Sequence, residues 1–122
     1  MSDVMELVVC TTCRLTGQSR AEADADGAPR AGARLSAVLA EHGIPHRRQE
    51  CLSACDRGCV VAFRGAGRWT YVQGGLCPDR HLPDLLHMIR AYAAAPDGVV
   101  PWRDRPEIIR KQTIARIPPM EP

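Results

Sequence analysis

The chain has 122 residues, enough for one domain and too few for two of ordinary size. Its 45% hydrophobic and 25% charged residues are a globular mixture, which argues against intrinsic disorder, and a core of useful size can form without disulfide staples. A formal charge of +2 is too balanced to mark a binder of nucleic acid or of an anionic membrane.

The first six residues are acidic and lead into no signal-peptide core, and no apolar run approaches the ~20 residues of a membrane helix. A cytoplasmic protein is expected. Val4–Val9 reads as a buried strand ending at Cys10, and the Ala-, Gly- and Asp-rich stretch 21–34 as a loop entering a helix. In that helix Ala31, Leu35, Val38, Leu39 and His42 share one face; Pro29 suits its first turn, and Gly43 and Pro45 stop it. Arg47–Glu50 reads as a short strand delivering Cys51. Cys59–Phe63 and Arg68–Gln73 form a hairpin around Arg64-Gly65-Ala66-Gly67. A second helix starts near Asp79, tolerates Pro83 in its first turn, and lines up Leu82, Leu85, Leu86, Ile89 and Tyr92. Its end is Pro96-Asp97-Gly98.

The order strand, helix, strand, hairpin, helix predicts an α+β domain over residues 1–98. Two helices cannot cover both faces of a sheet of about four strands, so both are expected on one face. Residues 99–122 form a C-terminal extension. Its prolines leave room for one short helix, Glu107–Ala115, and Trp102, Ile108, Ile109 and Ile114 call for burial, so the tail is expected to dock on the domain. Arg103, Arg105, Arg110, Lys111 and Arg116 could meet an acidic partner or a nucleic-acid backbone. With Asp104 and Glu107 interleaved, the expectation is a solvated face.

Six cysteines in a chain expected in a reducing compartment point to metal or redox chemistry. Two pairs stand out, Cys10-Thr-Thr-Cys13 after the first strand and Cys51-Leu-Ser-Ala-Cys55 ahead of the hairpin. If both loops open at one end of the sheet, four thiolates meet, as an iron–sulfur cluster or a structural zinc requires. Zinc sites commonly use two-residue spacings with glycine in each loop, and only the first pair has that spacing. A thiol–disulfide oxidoreductase would also place C-x-x-C after a strand, but needs no second pair. Buried cysteines without chemistry are the bland alternative.

Val8-Val9-Cys10-Thr11-Thr12-Cys13-Arg14-Leu15, Cys51-Leu-Ser-Ala-Cys55 and Gly58-Cys59-Val-Val-Ala-Phe63 together resemble the thioredoxin-like 2Fe–2S ferredoxins. That superfamily includes small bacterial ferredoxins and a subunit of respiratory NADH dehydrogenase, and the likeness runs from about Val4 to Tyr92. More narrowly, Cys51–Phe63, Gly67–Gly74 and Val100-Pro101-Trp102-Arg103 through Ile117-Pro118-Pro119 resemble a family of short bacterial proteins of unknown function. Its members carry the label of predicted metal-binding proteins, some of them associated with cobalamin biosynthesis.

The resemblance implies a thioredoxin-like sheet and a 2Fe–2S cluster held by Cys10, Cys13, Cys51 and Cys55. It also implies a one-electron carrier, not an enzyme, that serves a redox partner protein, with cobalamin (tetrapyrrole) metabolism as a setting and a homodimer as a further option. The superfamily usually puts four or more residues between its first two ligands. This chain has two, which makes Cys59 the substitute for Cys13. Cys59 otherwise reads as a core residue and Cys77 as a bystander. Arg14 and Arg57, with hydroxyls of Thr11, Thr12 and Ser53, would favour a reduced cluster. The alternative is a zinc-binding or metal-delivery module without redox chemistry. His42, His46, His81 and His87 read as surface or packing residues, and no nucleophile or phosphate-loop pattern is present.

Overall fold

The computed structural model describes residues 5–24, 27, 29–53 and 57–120. Its elements are β1 (Glu6–Cys10), α1 (Arg20–Ala23), α2 (Ala31–Glu41), β2 (Arg47–Gln49), β3 (Cys59–Arg64), β4 (Thr70–Leu76), α3 (Leu82–Ala94), α4 (Glu107–Gln112) and β5 (Thr113–Ile117). The strands form one mixed sheet in the order β2-β1-β3-β4-β5. Only β1 and β2 are parallel; the pairs β1–β3, β3–β4 and β4–β5 are antiparallel.

Alternate strand residues, Leu7 and Val9 of β1 and Val61 and Phe63 of β3, point to one face of the sheet. There they share a single core with Ala31, Leu35 and Leu39 of α2 and Leu85, Met88 and Tyr92 of α3. Each large side chain sealed here contributes on the order of 1.5–3 kcal/mol. Both long helices thus feed one core, as expected. Of the predicted face of α2, however, Val38 is only half-buried and His42 is exposed.

The hairpin's second strand starts at Thr70, two residues later than predicted, because Arg68 turns inward. Its guanidinium donates to the carbonyl oxygens of Tyr92 (2.6 Å) and Ala93 (3.2 Å), capping α3, and lies 5.5 Å from the Tyr92 ring centroid. Ser36 ties α2 to the approach of β2 through a 2.7 Å hydrogen bond with His46 Nε2.

The tail departs most from expectation. The helix ends at Gln112, not Ala115, and Thr113–Ile117 becomes a fifth strand against β4. β-branched Thr113, Ile114 and Ile117 suit that state. A buried Gln73 fixes the switch: it donates to Ile108 O and accepts from Thr113 Oγ1 at 3.0 Å. Ile109 and Val100 are sealed in the core, whereas Trp102, for which burial was expected, is 61% exposed. Its 3-10 turn lies outside the core, and arginine side chains cover its ring in place of apolar ones. Among the described residues, no helix is long and apolar enough to cross a membrane.

Candidate metal centre

Parallel pairing of β1 with β2 sets the site. Cys10 lies opposite Gln49, so the chain leaves both strands at the same end, into the loop carrying Cys13 and the loop beginning at Cys51. β3 runs against β1 and starts at Cys59, which pairs with Leu76, the neighbour of Cys77. All five described cysteines therefore gather at one end of the sheet. Cys55 lies outside the described residues.

The turn after β1 is clamped from two sides. Thr11 donates its N–H (2.8 Å) and its hydroxyl (3.3 Å) to Gln49 O, and the Thr12 hydroxyl donates to Glu50 O. The two threonine hydroxyls, expected from the sequence to serve a cluster, donate to the exit of β2 and stitch the turn to it. On the other side Gly32, in the first turn of α2, donates its N–H to Cys13 O (3.1 Å), and Arg30 donates to Thr12 O (3.0 Å) while paired in a fork with Asp24. Gly32 has no substitute at that contact, since a Cβ there would lie 2.0 Å from Cys10 O. Sequence reading passed over Gly32, for which a Gly in a helical first turn was the one available signal.

Cys10 and Cys13 are fully buried and form a small cluster with Val60, with Leu52, Val72 and Ile114 packed against it. Cys10 Sγ also lies 3.7 Å from both Thr12 Oγ1 and Glu50 O. The Cys13 thiol, donating to Cys10, draws the Cys10 pKa down to about 5 against the opposing effect of burial, helped by N–H groups of Thr12 and Leu52. Cys13 is correspondingly pushed far up, by that same bond and by burial. The contact favours negative charge on Cys10 and disfavours it on Cys13. Cys51 is exposed, and Ser53 donates its N–H to Cys51 Sγ at 3.2 Å from a left-handed backbone conformation (φ 62°). The same loop thus offers N–H groups to two sulfurs, that of Leu52 to Cys10 and that of Ser53 to Cys51.

Cys59 lies in the main core, where burial pushes its thiol up to about 12. Cys77 is half-buried at the end of β4. The cysteines thus divide: Cys10 and Cys13 with Val60, Cys59 with the helix-covered core. Among the described residues, no three His, Cys, Asp or Glu side chains stand close enough to hold a metal ion. The donor chemistry of Cys10, Cys13 and Cys51, sulfur with main-chain N–H groups directed at it, nevertheless suits a thiolate-bound group.

Residues 7–119 match a family described as a protein of unknown function, DUF1636, and the chain belongs to that family. Neither a curated protein nor a solved structure matches it.

Proposed function

We propose that this family member carries a 2Fe–2S cluster on Cys10, Cys13, Cys51 and Cys55 and serves as a one-electron carrier of the thioredoxin-like ferredoxin kind. When bound, such a cluster takes up and gives back one electron and leaves no coordination position open for a substrate. The observation that carries the reading is the parallel β1–β2 pair, which brings the two cysteine-bearing loops out at one end of the sheet. The chain's own residues prepare for it. The Cys10 pKa is lowered by its contact with Cys13, so negative charge comes first to that sulfur. Leu52 and Ser53 supply N–H groups to sulfur, and Thr11 and Thr12 keep the first loop against the second. On the resemblance, the partner is a redox protein of cobalamin or related tetrapyrrole metabolism.

A zinc-binding or metal-delivery role is the second reading, favoured by the exposure of Cys51, through which a metal could be passed on. The visible spectrum of anaerobically purified protein, with iron, sulfide and zinc counted in the same sample, separates the two. A brown protein holding iron and sulfide in equal amounts and bleached by dithionite supports the carrier. A colourless protein that holds zinc and fails reconstitution overturns it. Cys51→Ser and Cys55→Ser are expected to abolish retention and Cys77→Ser to leave it intact; retention by every single variant would refute the ligand set.

A further inference from the structure

At the end of the sheet away from the cysteines lies a cavity of about 720 Å³, and strand register builds its floor. Glu6 pairs with Arg64, and Thr70 with Ile117. Glu6, Arg64 and Thr70 are next to Leu7, Phe63 and Tyr71 of the helix-covered core, so their side chains point to the opposite face. Ile117 joins them there through its pairing with Thr70. The hairpin loop at Gly65–Gly67 and the segment Pro118–Met120, which leave the sheet at this end, complete the lining. Three large apolar side chains are exposed among the described residues, and two of them, Ile117 (51%) and Met120 (95%), line this one cavity. A concave site of this size, apolar with a few convergent polar groups, suits a small organic ligand. The polar groups are an ion pair with valences to spare. Arg64 directs both Nε (2.7 Å) and Nη2 (2.5 Å) at a single oxygen, Oε1 of Glu6. The pair cancels its own charge and leaves Glu6 Oε2 as an acceptor beside Arg64 Nη1 as a donor.

We propose that this cavity binds a small, uncharged, planar molecule that carries an amide edge on an apolar body. An amide presents one donor and one acceptor side by side, so its N–H meets Glu6 Oε2 while its C=O accepts from Arg64 Nη1. Its body lies against Ile117 and Met120, which the fold otherwise leaves in water. Charged ligands fit less well. A carboxylate gains Arg64 but confronts the Glu6 carboxylate, an ammonium gains Glu6 but confronts Arg64, and each must break the existing pair to be received. A molecule with no polar edge leaves both spare groups unpaired beneath it. The site is formed by the strand ends remote from Cys10 and Cys59, and it stands whether or not those cysteines hold a cluster.

The test is titration of the full, metal-stripped chain with three probes that share one ring system, 2-naphthamide, 2-naphthoate and 2-naphthylmethylammonium, followed by backbone amide NMR shifts. The amide is expected to bind saturably and about tenfold more tightly than either charged probe, with the shifts centred on Gly65, Gly67, Thr70 and Ile117. Glu6→Ala frees the Arg64 guanidinium, so in that variant the naphthoate should overtake the amide. Ile117→Ser and Met120→Ser, both on exposed side chains, should each weaken the amide about tenfold, whereas Trp102→Ala, at the other exposed large apolar residue, should bind like the parent. No saturable binding, an amide bound no more tightly than the naphthoate, affinities unmoved by Ile117→Ser and Met120→Ser, or shifts centred elsewhere overturn the proposal.

Discussion

The lowered pKa of Cys10 rests on a short set of neighbours, Cys13 first, and each can be removed in turn. The strongest influence on Cys10 is the thiol of Cys13, so in the metal-stripped, reduced protein one thiolate should persist down to a pH of about 5. The sign follows from linkage. A folded pKa below the ordinary thiol value contributes stability that is complete only above that value and is lost as pH falls through about 5. Ultraviolet absorbance of thiolate against pH should show this step, Cys10→Ser should delete it, and Cys13→Ser should move it upward. A step that stays near 5 without Cys13 would show that the N–H groups of Thr12 and Leu52 suffice. Gly32 is a sharper case. Ala there drives a Cβ into Cys10 O, a backbone atom that cannot yield without moving the turn, so Gly32→Ala should cost about 2 kcal/mol or more in chemical denaturation and loosen the cysteine turn. The sequence made the cysteines legible through their spacing. The role of Gly32 and the true partners of the Thr11 and Thr12 hydroxyls stayed hidden because Cys10, Gln49 and Glu50 are brought to them by strand pairing and helix packing, which no local pattern records.

At the scale of elements, hydrophobic periodicity located β1, α2, the hairpin and α3 to within a few residues. Glycine and proline punctuated them as turn chemistry requires. The failures share a cause in tertiary structure. Arg68 looked like a strand residue until the end of α3 claimed its guanidinium, and Glu107–Ala115 looked like one helix until β4 offered a free edge. That edge is usable because Gln73, buried within β4, satisfies both sides of the α4–β5 junction. Gln73→Leu keeps the volume but takes a donor from the Gly74 and Ile108 carbonyls, while the Thr113 hydroxyl keeps Ile109 O, so it should destabilise the protein by roughly 1–3 kcal/mol. Hydrogen exchange should locate the loosening in Thr113–Ile117 more than in β1. Uniform loosening of the sheet would mean that β5 contributes to global stability and not merely to its own edge. Trp102 escaped sequence reading for the opposite reason, since a preference for burial says nothing about whether the chain folds back far enough to provide it.

Across the whole molecule, one end of the sheet collects residues far apart in the chain. Thirty-seven residues separate Cys13 from Cys51, and they include all of α2 and β2. The two loops meet because β1 and β2 lie side by side in parallel, and that pairing is the shortest in the sheet, three residues on an exposed edge. An edge strand so short is held weakly by its own hydrogen bonds, and the side-chain ties beside it are Ser36–His46 at its approach and the Thr11 and Thr12 hydroxyls at its exit. A group bound by sulfurs from both loops would therefore act as a cross-link exactly where the sheet is thinnest, restricting the unfolded chain much as a disulfide over a loop of that size does. On the loop-closure scale such a link is worth on the order of 3–4 kcal/mol. Loaded protein should accordingly unfold at higher denaturant than stripped protein by about that free energy, a chelator should return it to the stripped value, and Cys77→Ser should show the full difference. Coincident unfolding curves for loaded and stripped protein would mean that the bound group touches only one of the two loops, and the four-cysteine ligand set would fall with it.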